Sequence, residues 1–147
     1  MSEAGCPGVA DPGAKLVLYA QHLGIRVVPL VGPSSILLAL MASGLNGQRF
    51  AFHGYLPADN AGRETALREL EQQSRRQRQT QIFIETPYRN QKLMQSILAR
   101  CAATSLLCVA ADISLATEDI RTMTVAQWRK QPPQIERRPC IFLLLAD

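Results

Sequence analysis

The residues best suited to chemistry form a loop near the start of the chain, at residues 2–13. This segment contains three glycines and two prolines, two of these residues in an Asp-Pro-Gly turn. Such a composition excludes a helix or an interior strand, and glycine lets backbone N–H groups approach a ligand closely. Functional loops of this kind commonly follow a strand of an α/β sheet. The segment therefore predicts a ligand-binding loop, with a plain connecting turn as the alternative that composition alone leaves open.

The bulk composition excludes several classes of protein. Apolar residues make up 47% and charged residues 19% of the 147 residues, so the chain can bury a core and is not disordered. A net charge of +4 does not by itself indicate a nucleic-acid-binding protein. The four cysteines lack ligand-like spacing and only two histidines are present, which argues against a metal site and predicts reduced thiols in a cytoplasmic protein. No apolar run is long enough to span a bilayer.

Periodicity predicts an alternation of helices and strands. Apolar residues at helical spacing predict helices over residues 14–23, 36–42, 61–77 and 90–101, and a helical turn over 125–130. Alternating or β-branched runs predict strands over residues 25–31, 50–56, 81–85, 106–111, 120–124 and 140–145. The run 25–31 is expected to be a buried strand, because it is continuously apolar up to Gly32-Pro33. Ser34 or Ser35 is expected to cap the helix that follows.

This alternation favours an α/β fold built of packed layers. The segment 44–50 is rich in turn-forming residues and is the weakest join in the pattern. We therefore place a domain boundary there, with residues 1–48 in one α/β domain and residues 49–147 in a second.

Four segments together carry a resemblance to a known family. After the loop at residues 2–13 come Val-Pro-Leu-Val-Gly-Pro-Ser-Ser at 28–35, Gly-Tyr-Leu-Pro at 54–57 and Phe-Ile-Glu-Thr-Pro-Tyr-Arg at 83–89. In their order and spacing they resemble the tetrapyrrole (corrin and porphyrin) methylase superfamily, and most closely the ribosomal RNA small subunit methyltransferase I branch. The resemblance extends over essentially the whole chain.

The resemblance implies a fold, a cofactor and an assembly. Members have two α/β domains, bind S-adenosylmethionine in the cleft between them and are usually homodimers. Residues 1–48 would be the end of the first domain and the remainder the second domain. The opening strand and glycine-bearing loop of the family would precede Met1, so we expect this chain to be the carboxyl-terminal part of a longer enzyme.

The resemblance also assigns residues to the cofactor. In the first domain they are Glu3, Ala4, Gly5, Cys6, Pro7, Gly8, Ser34 and Ser35. In the second domain they are Ile84, Thr86, Ala110, Ala111 and Pro139. One anion and several N–H donors suit the ammonium and carboxylate groups of a methionine-derived ligand. The alternatives are that Ser34 is only a helix cap and that the apolar residues belong to the ordinary core.

Four charged residues are the candidates for catalysis. Methyl transfer from a sulfonium depends mainly on alignment, whereas a hydroxyl acceptor also benefits from a base. Glu85, Asp112 and Glu118 are the candidate carboxylates, and Arg89 is a candidate clamp for an anionic substrate or for Glu85. Each of them could instead form a structural ion pair.

One departure from the family pattern bears on the substrate. Where the RNA-modifying branch carries a lysine and a histidine, this chain has Leu115 and Thr117. Three hypotheses follow: 2′-O-methylation of ribosomal RNA, methylation of a tetrapyrrole or another small molecule, and a non-catalytic protein that binds cofactor or a partner.

Overall fold

A computed structural model of the chain describes residues 6–147, and its sheet carries helices on both faces. The helices are α1 Ala14–His22, α2 Ser35–Ser43, α3 Asn60–Gln77, α4 Asn90–Arg100 and α5 Val125–Lys130, with a single 3₁₀ turn at Pro87–Arg89. The strands are β1 Phe50–Tyr55, β2 Thr80–Ile84, β3 Leu106–Ala111, β4 Asp119–Thr124 and β5 Cys140–Leu145. The predicted α/β class is confirmed. Apart from one predicted strand, the observed bounds differ from the predicted ones by at most one residue at either end.

The exception is the strand predicted over residues 25–31, and that prediction is wrong. The segment is extended but belongs to no strand, and its apolar side chains are exposed, Leu30 by 86%. Ile25 donates its N–H back to Ala20, which only closes the end of α1. A β-branched run favours extended backbone, but a strand requires a neighbour for its hydrogen bonds. Within residues 6–147 no strand pairs with this segment.

The five strands form one mixed sheet in the order β1-β2-β5-β3-β4. β1 and β2 are parallel and are connected by α3, whereas β5 runs antiparallel to both of its neighbours, β2 and β3. Parallel strands require a crossover, and a helix packed on the sheet supplies it. As a result, β1, β2 and β3 all end at the edge of the sheet where β5 begins.

Alternating residues of the sheet bury two apolar layers. On one face, Phe83, Phe142 and Leu144 pack against α3, α4 and α5. On the other face, Ile82, Ile141, Leu143 and Cys108 pack against α2 through Ile36, Ala39 and Leu40. Side chains alternate between the faces of a strand, so a strand covered on both sides must be apolar throughout. The predicted boundary near residue 48 stays a prediction, although α2 packs directly on this sheet.

Local capping fixes the start of two helices. Asp59 precedes α3 and its Oδ1 accepts the N–H of Gly62 at 2.7 Å. Thr124 precedes α5 and forms a reciprocal capping box with Gln127. Each cap satisfies backbone donors that a helix start leaves without partners. Within residues 6–147 no helix has both the length and the apolar character needed to cross a bilayer.

Trp128 is expected to be a principal stabilising side chain of the α5 layer. It is fully buried, and its Nε1–H donates to the carbonyl oxygen of Leu107 on β3 at 2.8 Å. Trp128→Phe removes this donor and part of the ring, so we expect the free energy of unfolding to fall by roughly 2–4 kcal/mol. Urea unfolding followed by circular dichroism measures the loss. Tyr88→Phe, at a side chain that is 68% exposed, is the control and should change stability by less than about 0.5 kcal/mol.

Candidate functional site

A cleft of about 690 Å³ opens at the edge of the sheet where β1, β2 and β3 end. It is lined by Ser35, Tyr55, Ile84, Glu85, Pro87, Asp112, Ile113, Leu115, Pro139, Cys140 and Ile141. The strand register explains this composition, because Ile84 lies opposite Ile141 and Ala111 lies opposite Cys140. The residues that follow β2 and β3, Glu85 and Asp112, therefore flank the start of β5. The carboxyl edge of an α/β sheet is a common position for a ligand site.

A smaller cavity of about 190 Å³ adjoins the cleft and shares Ser35 and Ile84 with it. Its other lining residues are Cys6, Val9, Ala10, Ser34, Ile36 and Phe52. The thiol of Cys6 lies 3.2 Å from the carbonyl oxygen of Pro33, so the loop near the start of the chain packs against the segment that leads into α2. Ser34 occupies the cap position of α2, but its hydroxyl makes no capping hydrogen bond. The predicted capping role of Ser34 is therefore not seen in its side-chain hydrogen bonds, and its hydroxyl lies beside the smaller cavity.

Glu85 is buried at the cleft with an asymmetric set of partners. Its Oε1 accepts hydrogen bonds from the backbone N–H of Thr86 at 2.7 Å and from Arg89 Nε at 3.0 Å. Its Oε2 is buried and has no hydrogen-bond partner among residues 6–147. Burying an acceptor without a partner costs free energy, so such an atom is a natural position for a ligand donor.

Arg89 forms an ion pair with Glu85, which is one of the two partners predicted for this arginine. Nη2 of Arg89 lies 2.8 Å from Oε1 of Glu85, which is four residues earlier in the chain. The hydrogen bond that Arg89 donates to Glu85 raises the pKa of the Arg89 guanidinium above its ordinary value. The arginine thus holds one carboxylate oxygen and leaves the other directed away from the pair.

Asp112 is held by the loop that joins β3 to β4 and by the segment before β5. Its Oδ2 accepts from Arg138 Nε at 2.8 Å and from the hydroxyl of Thr117 at 2.8 Å. Asp112 adopts φ +52°, in the left-handed region that aspartate tolerates better than most residues. The hydrogen bond from Arg138, assisted by the one from Thr117, lowers the pKa of the Asp112 carboxyl. Asp112 is therefore a fixed anion and a weak base.

The thiol of Cys140 lines the same cleft but is not a nucleophile. Burial raises its pKa to about 12, so the thiol is protonated at neutral pH. All four cysteines of the described chain are free. Within residues 6–147, no group of three or more His, Cys, Asp or Glu residues is placed to hold a metal ion.

The structure brings many of the predicted site residues together. Cys6, Ser34, Ser35, Ile84 and Pro139 line the two adjoining cavities with Glu85 and Asp112. Glu3, Ala4 and Gly5 lie outside the described residues.

The other predicted residues lie around or beneath these cavities. Thr86 and Arg89 both donate hydrogen bonds to Glu85 and do not themselves line a cavity of the site. Pro7 and Gly8 follow Cys6 in the chain and line neither cavity. Ala110 and Ala111 are buried in the apolar layers on opposite faces of β3. Glu118 lines a different cavity, beside α2, and accepts the N–H of Ser114. The roles given to all these residues stay predictions.

Several residues that line the cleft were not predicted from the sequence, although the sequence contains a recognisable signal for one of them. Tyr55 reaches the cleft because Gly54 adopts φ +66° at an irregularity in the pairing of β1 with β2. A glycine inside an otherwise regular strand indicates such a bulge, so Gly54 was a usable signal. Pro87, Ile113, Cys140 and Ile141 carry no such signal, because tertiary packing alone brings them to the cleft.

Comparison with known proteins gives relatives over nearly the whole chain. No protein-family model matches it. "Ribosomal RNA small subunit methyltransferase I" of Pseudomonas aeruginosa is 35% identical over 147 residues, covering 98% of this chain and 51% of the relative. The proteins of the same name from Vibrio cholerae and Escherichia coli O157:H7 are each 36% identical, covering 86% and 89% of this chain and 43% and 46% of the relatives. The chain spans about half the length of the curated relatives it matches.

Two solved structures share the fold. The methyltransferase CobJ superposes with a TM-score of 0.61 at 17% identity, covering 97% of this chain and 62% of that one. Uroporphyrin-III C-methyl transferase from Thermus thermophilus, complexed with S-adenyl homocysteine, superposes with a TM-score of 0.54 at 16% identity. The superposition covers 96% of this chain and 62% of that one. At these identities the likeness establishes the arrangement of helices and strands alone.

The carboxyl of Asp112 should contribute to acid sensitivity. Its pKa in the folded chain lies below the ordinary value of 3.8, so its stabilising contribution is full above that value and is lost as the pH falls through the folded pKa. We expect Asp112→Asn to lower the free energy of unfolding at pH 7 and to lose this part of the acid dependence. Urea titrations between pH 2.5 and 7 should show the wild-type and variant stabilities converging below about pH 3.8.

Glu69→Gln is the control, because Glu69 is exposed and makes no ion pair within the described chain. A constant difference between wild type and Asp112→Asn across the whole pH range would contradict the ion pair with Arg138.

Proposed function

We propose that this chain is part of a member of the tetrapyrrole methylase superfamily, and that it acts as an S-adenosylmethionine-dependent methyltransferase on a ribose 2′-hydroxyl of ribosomal RNA. The observation that carries this proposal is the buried Oε2 of Glu85, which has no partner among residues 6–147 and lies in a cleft at the carboxyl edge of the sheet. The names of relatives at 35–36% identity support the choice of RNA as acceptor. We further propose that the enzyme works as a homodimer in the cytoplasm.

The two adjoining cavities fit the proposed cofactor in size and in donor set. Sites for small molecules commonly measure about 300–1,000 Å³, and the larger cavity is about 690 Å³. Ile84, shared by both cavities, offers an apolar surface for an adenine ring, and the hydroxyl of Ser34 suits the polar amino-acid end. The cofactor, when bound, supplies a methyl group already activated by a positively charged sulfur.

The chain's own contribution is to hold the acceptor and to take its proton. Glu85 Oε2 would accept the hydrogen bond, and then the proton, of the acceptor hydroxyl. Arg89 and the N–H of Thr86 hold Oε1, so the carboxylate keeps its orientation during the transfer. General-base assistance of this kind typically contributes about 10²–10⁴-fold to the rate.

The other two candidate carboxylates are less suited to this role. Asp112 already accepts two hydrogen bonds on Oδ2, and its lowered pKa makes it a weaker proton acceptor. Glu118 lines the cavity beside α2 and holds the N–H of Ser114. We therefore assign the base to Glu85 and an electrostatic and structural role to Asp112.

A second candidate function has an observation of its own. None of the residues that line the cleft is lysine or arginine, and Leu115 lines it at the position where the family resemblance implies a lysine. A lining without a cation suits a small-molecule acceptor, such as a tetrapyrrole, better than an acceptor with phosphate groups. A protein that binds cofactor without turnover is the third possibility, and a cofactor-binding measurement combined with an activity assay distinguishes it.

S-Adenosylhomocysteine should bind where the two cavities meet. Ser35→Leu places a larger side chain at the residue they share, so we expect the affinity to fall at least about tenfold. Leucine favours a helix and Ser35 is exposed, so the fold should persist. Isothermal titration calorimetry on the chain measures the effect.

Ala42→Leu is the matched control, because Ala42 is an exposed residue of the same helix that lines only the cavity beside α2. Equal affinities for wild type and Ser35→Leu would show that the ligand lies elsewhere. No binding by any variant would exclude the proposed cofactor for this chain.

Glu85→Gln should separate catalysis from binding. Glutamine keeps an acceptor for Arg89 and Thr86 but is no proton acceptor, so we expect methyl incorporation into small ribosomal subunits to fall by about 10²–10⁴-fold. The affinity for S-adenosylhomocysteine should stay within about twofold of the wild-type value. Glu118→Gln is the matched control and should retain activity.

Two outcomes contradict parts of this assignment. Full activity of Glu85→Gln would show that Glu85 is not the general base. No incorporation by the wild-type chain, with cofactor binding retained, would overturn the RNA acceptor and favour a small-molecule substrate.

A further inference from the structure

A separate cavity of about 500 Å³ lies in the helical layer between α3 and α4. It is lined by Ala58, Asn60, Arg63, Glu64, Lys92, Gln95, Ser96 and Ala99. None of these residues lines the cleft at the sheet edge. Two cationic side chains, Arg63 and Lys92, line this cavity, whereas the lining of the cleft contains no lysine or arginine.

Arg63 is a buried cation without a counter-ion in the described chain. The residue is only 6% exposed, and no ion pair joins it to a carboxylate within residues 6–147. Its guanidinium donates one hydrogen bond each to Ser96 Oγ, the carbonyl oxygen of Ala58 and Asn60 Oδ1. A guanidinium has five N–H donors, so two of them have no acceptor among the described residues 6–147. Buried charges are normally paired, and an arginine with free donors favours an oxyanion.

The remaining charges of the cavity leave a net positive lining. Lys92 is exposed and makes no ion pair within the described residues. Glu64 is the single carboxylate in the lining, and both of its oxygens are occupied. Its Oε1 accepts from Asn60 at 3.0 Å, and its Oε2 pairs with Arg100 at 2.7 Å. Glu64 therefore forms no ion pair with Arg63 or Lys92, and two cations against one carboxylate leave the lining with a positive balance.

We propose that this cavity binds a phosphate group through Arg63 and Lys92. Ala58, which lines the cavity, follows Tyr55 of the cleft by three residues, so the Cα atoms of these two lining residues are at most about 11 Å apart. A nucleic-acid strand whose target nucleotide enters the cleft would place a neighbouring backbone phosphate within reach of the cavity. The identification of RNA as the source of the phosphate rests on the proposed function, whereas the phosphate site itself rests only on Arg63 and Lys92.

The salt dependence of RNA binding tests the proposal. Each phosphate contact to single-stranded nucleic acid contributes about 0.7 to the slope of log affinity against log salt concentration. We expect Lys92→Ala to weaken binding of a fluorescent single-stranded oligoribonucleotide and to reduce this slope by about 0.7. Lys130→Ala is the matched control, because Lys130 is also exposed and unpaired in the described chain but does not line the cavity. An equal reduction in both variants would overturn the site.

A titration of the wild-type chain with inorganic phosphate tests for the phosphate site directly, and its result does not depend on whether a variant folds. Phosphate should shift the side-chain Nε–H resonance of Arg63 in the wild-type chain, and chloride at the same ionic strength should not. Lys92→Ala keeps Arg63 in place and should weaken this response several-fold. An absent response in the wild-type chain would overturn the proposal, even if Arg63→Gln lost RNA binding through unfolding.

A parallel titration with S-adenosylhomocysteine separates this proposal from the proposed function. A phosphate response without oligoribonucleotide binding supports the site and assigns it to a small phosphorylated ligand, against RNA as acceptor. Cofactor binding without any phosphate response overturns the site and leaves the methyltransferase proposal standing.

Discussion

The placement of β5 between β2 and β3 is the interaction on which the rest of the structure depends. This last strand pairs antiparallel with both neighbours, and its side chains supply both apolar layers. Phe142 and Leu144 pack toward α3, α4 and α5, while Ile141 and Leu143 pack toward α2. Without β5, β2 and β3 would each expose an unpaired edge, and the two layers would lose their common surface.

The same pairing also creates the candidate site. β5 starts at the edge where β2 and β3 end, so Glu85 and Asp112 lie on either side of it. Each of these carboxylates forms an ion pair with an arginine, but the two pairs leave the carboxylates with different free hydrogen-bonding capacity. Arg89 occupies one oxygen of Glu85 and leaves the other buried and without a described partner. Arg138 and Thr117 both engage Oδ2 of Asp112, which stabilises its charge and makes it an anchor for the loop between β3 and β4.

The distribution of cations divides the molecule into two environments. The lining of the cleft contains no lysine or arginine, whereas Arg63 and Lys92 line the cavity between α3 and α4. A substrate that combines a neutral reacting group with a charged backbone would match both. If the proposed phosphate site is correct, a nucleic-acid acceptor needs no cation at Leu115, because its phosphate contact would lie in the helical layer.

Local pattern alone determined most of the elements and the α/β class, because apolar periodicity records which face of a helix or strand is buried. It identified β5 at residues 140–145 as fully apolar, whereas Glu85 and Asp112 became candidates as carboxylates that could serve as a base. It failed at residues 25–31, because β-propensity does not reveal whether a partner strand is present. Only the tertiary structure decided that β5 is central, and that one oxygen of Glu85 and the guanidinium of Arg63 lack a hydrogen-bond partner and a counter-ion, respectively, among the described residues. These properties depend on contacts between residues far apart in the chain, which no local pattern encodes.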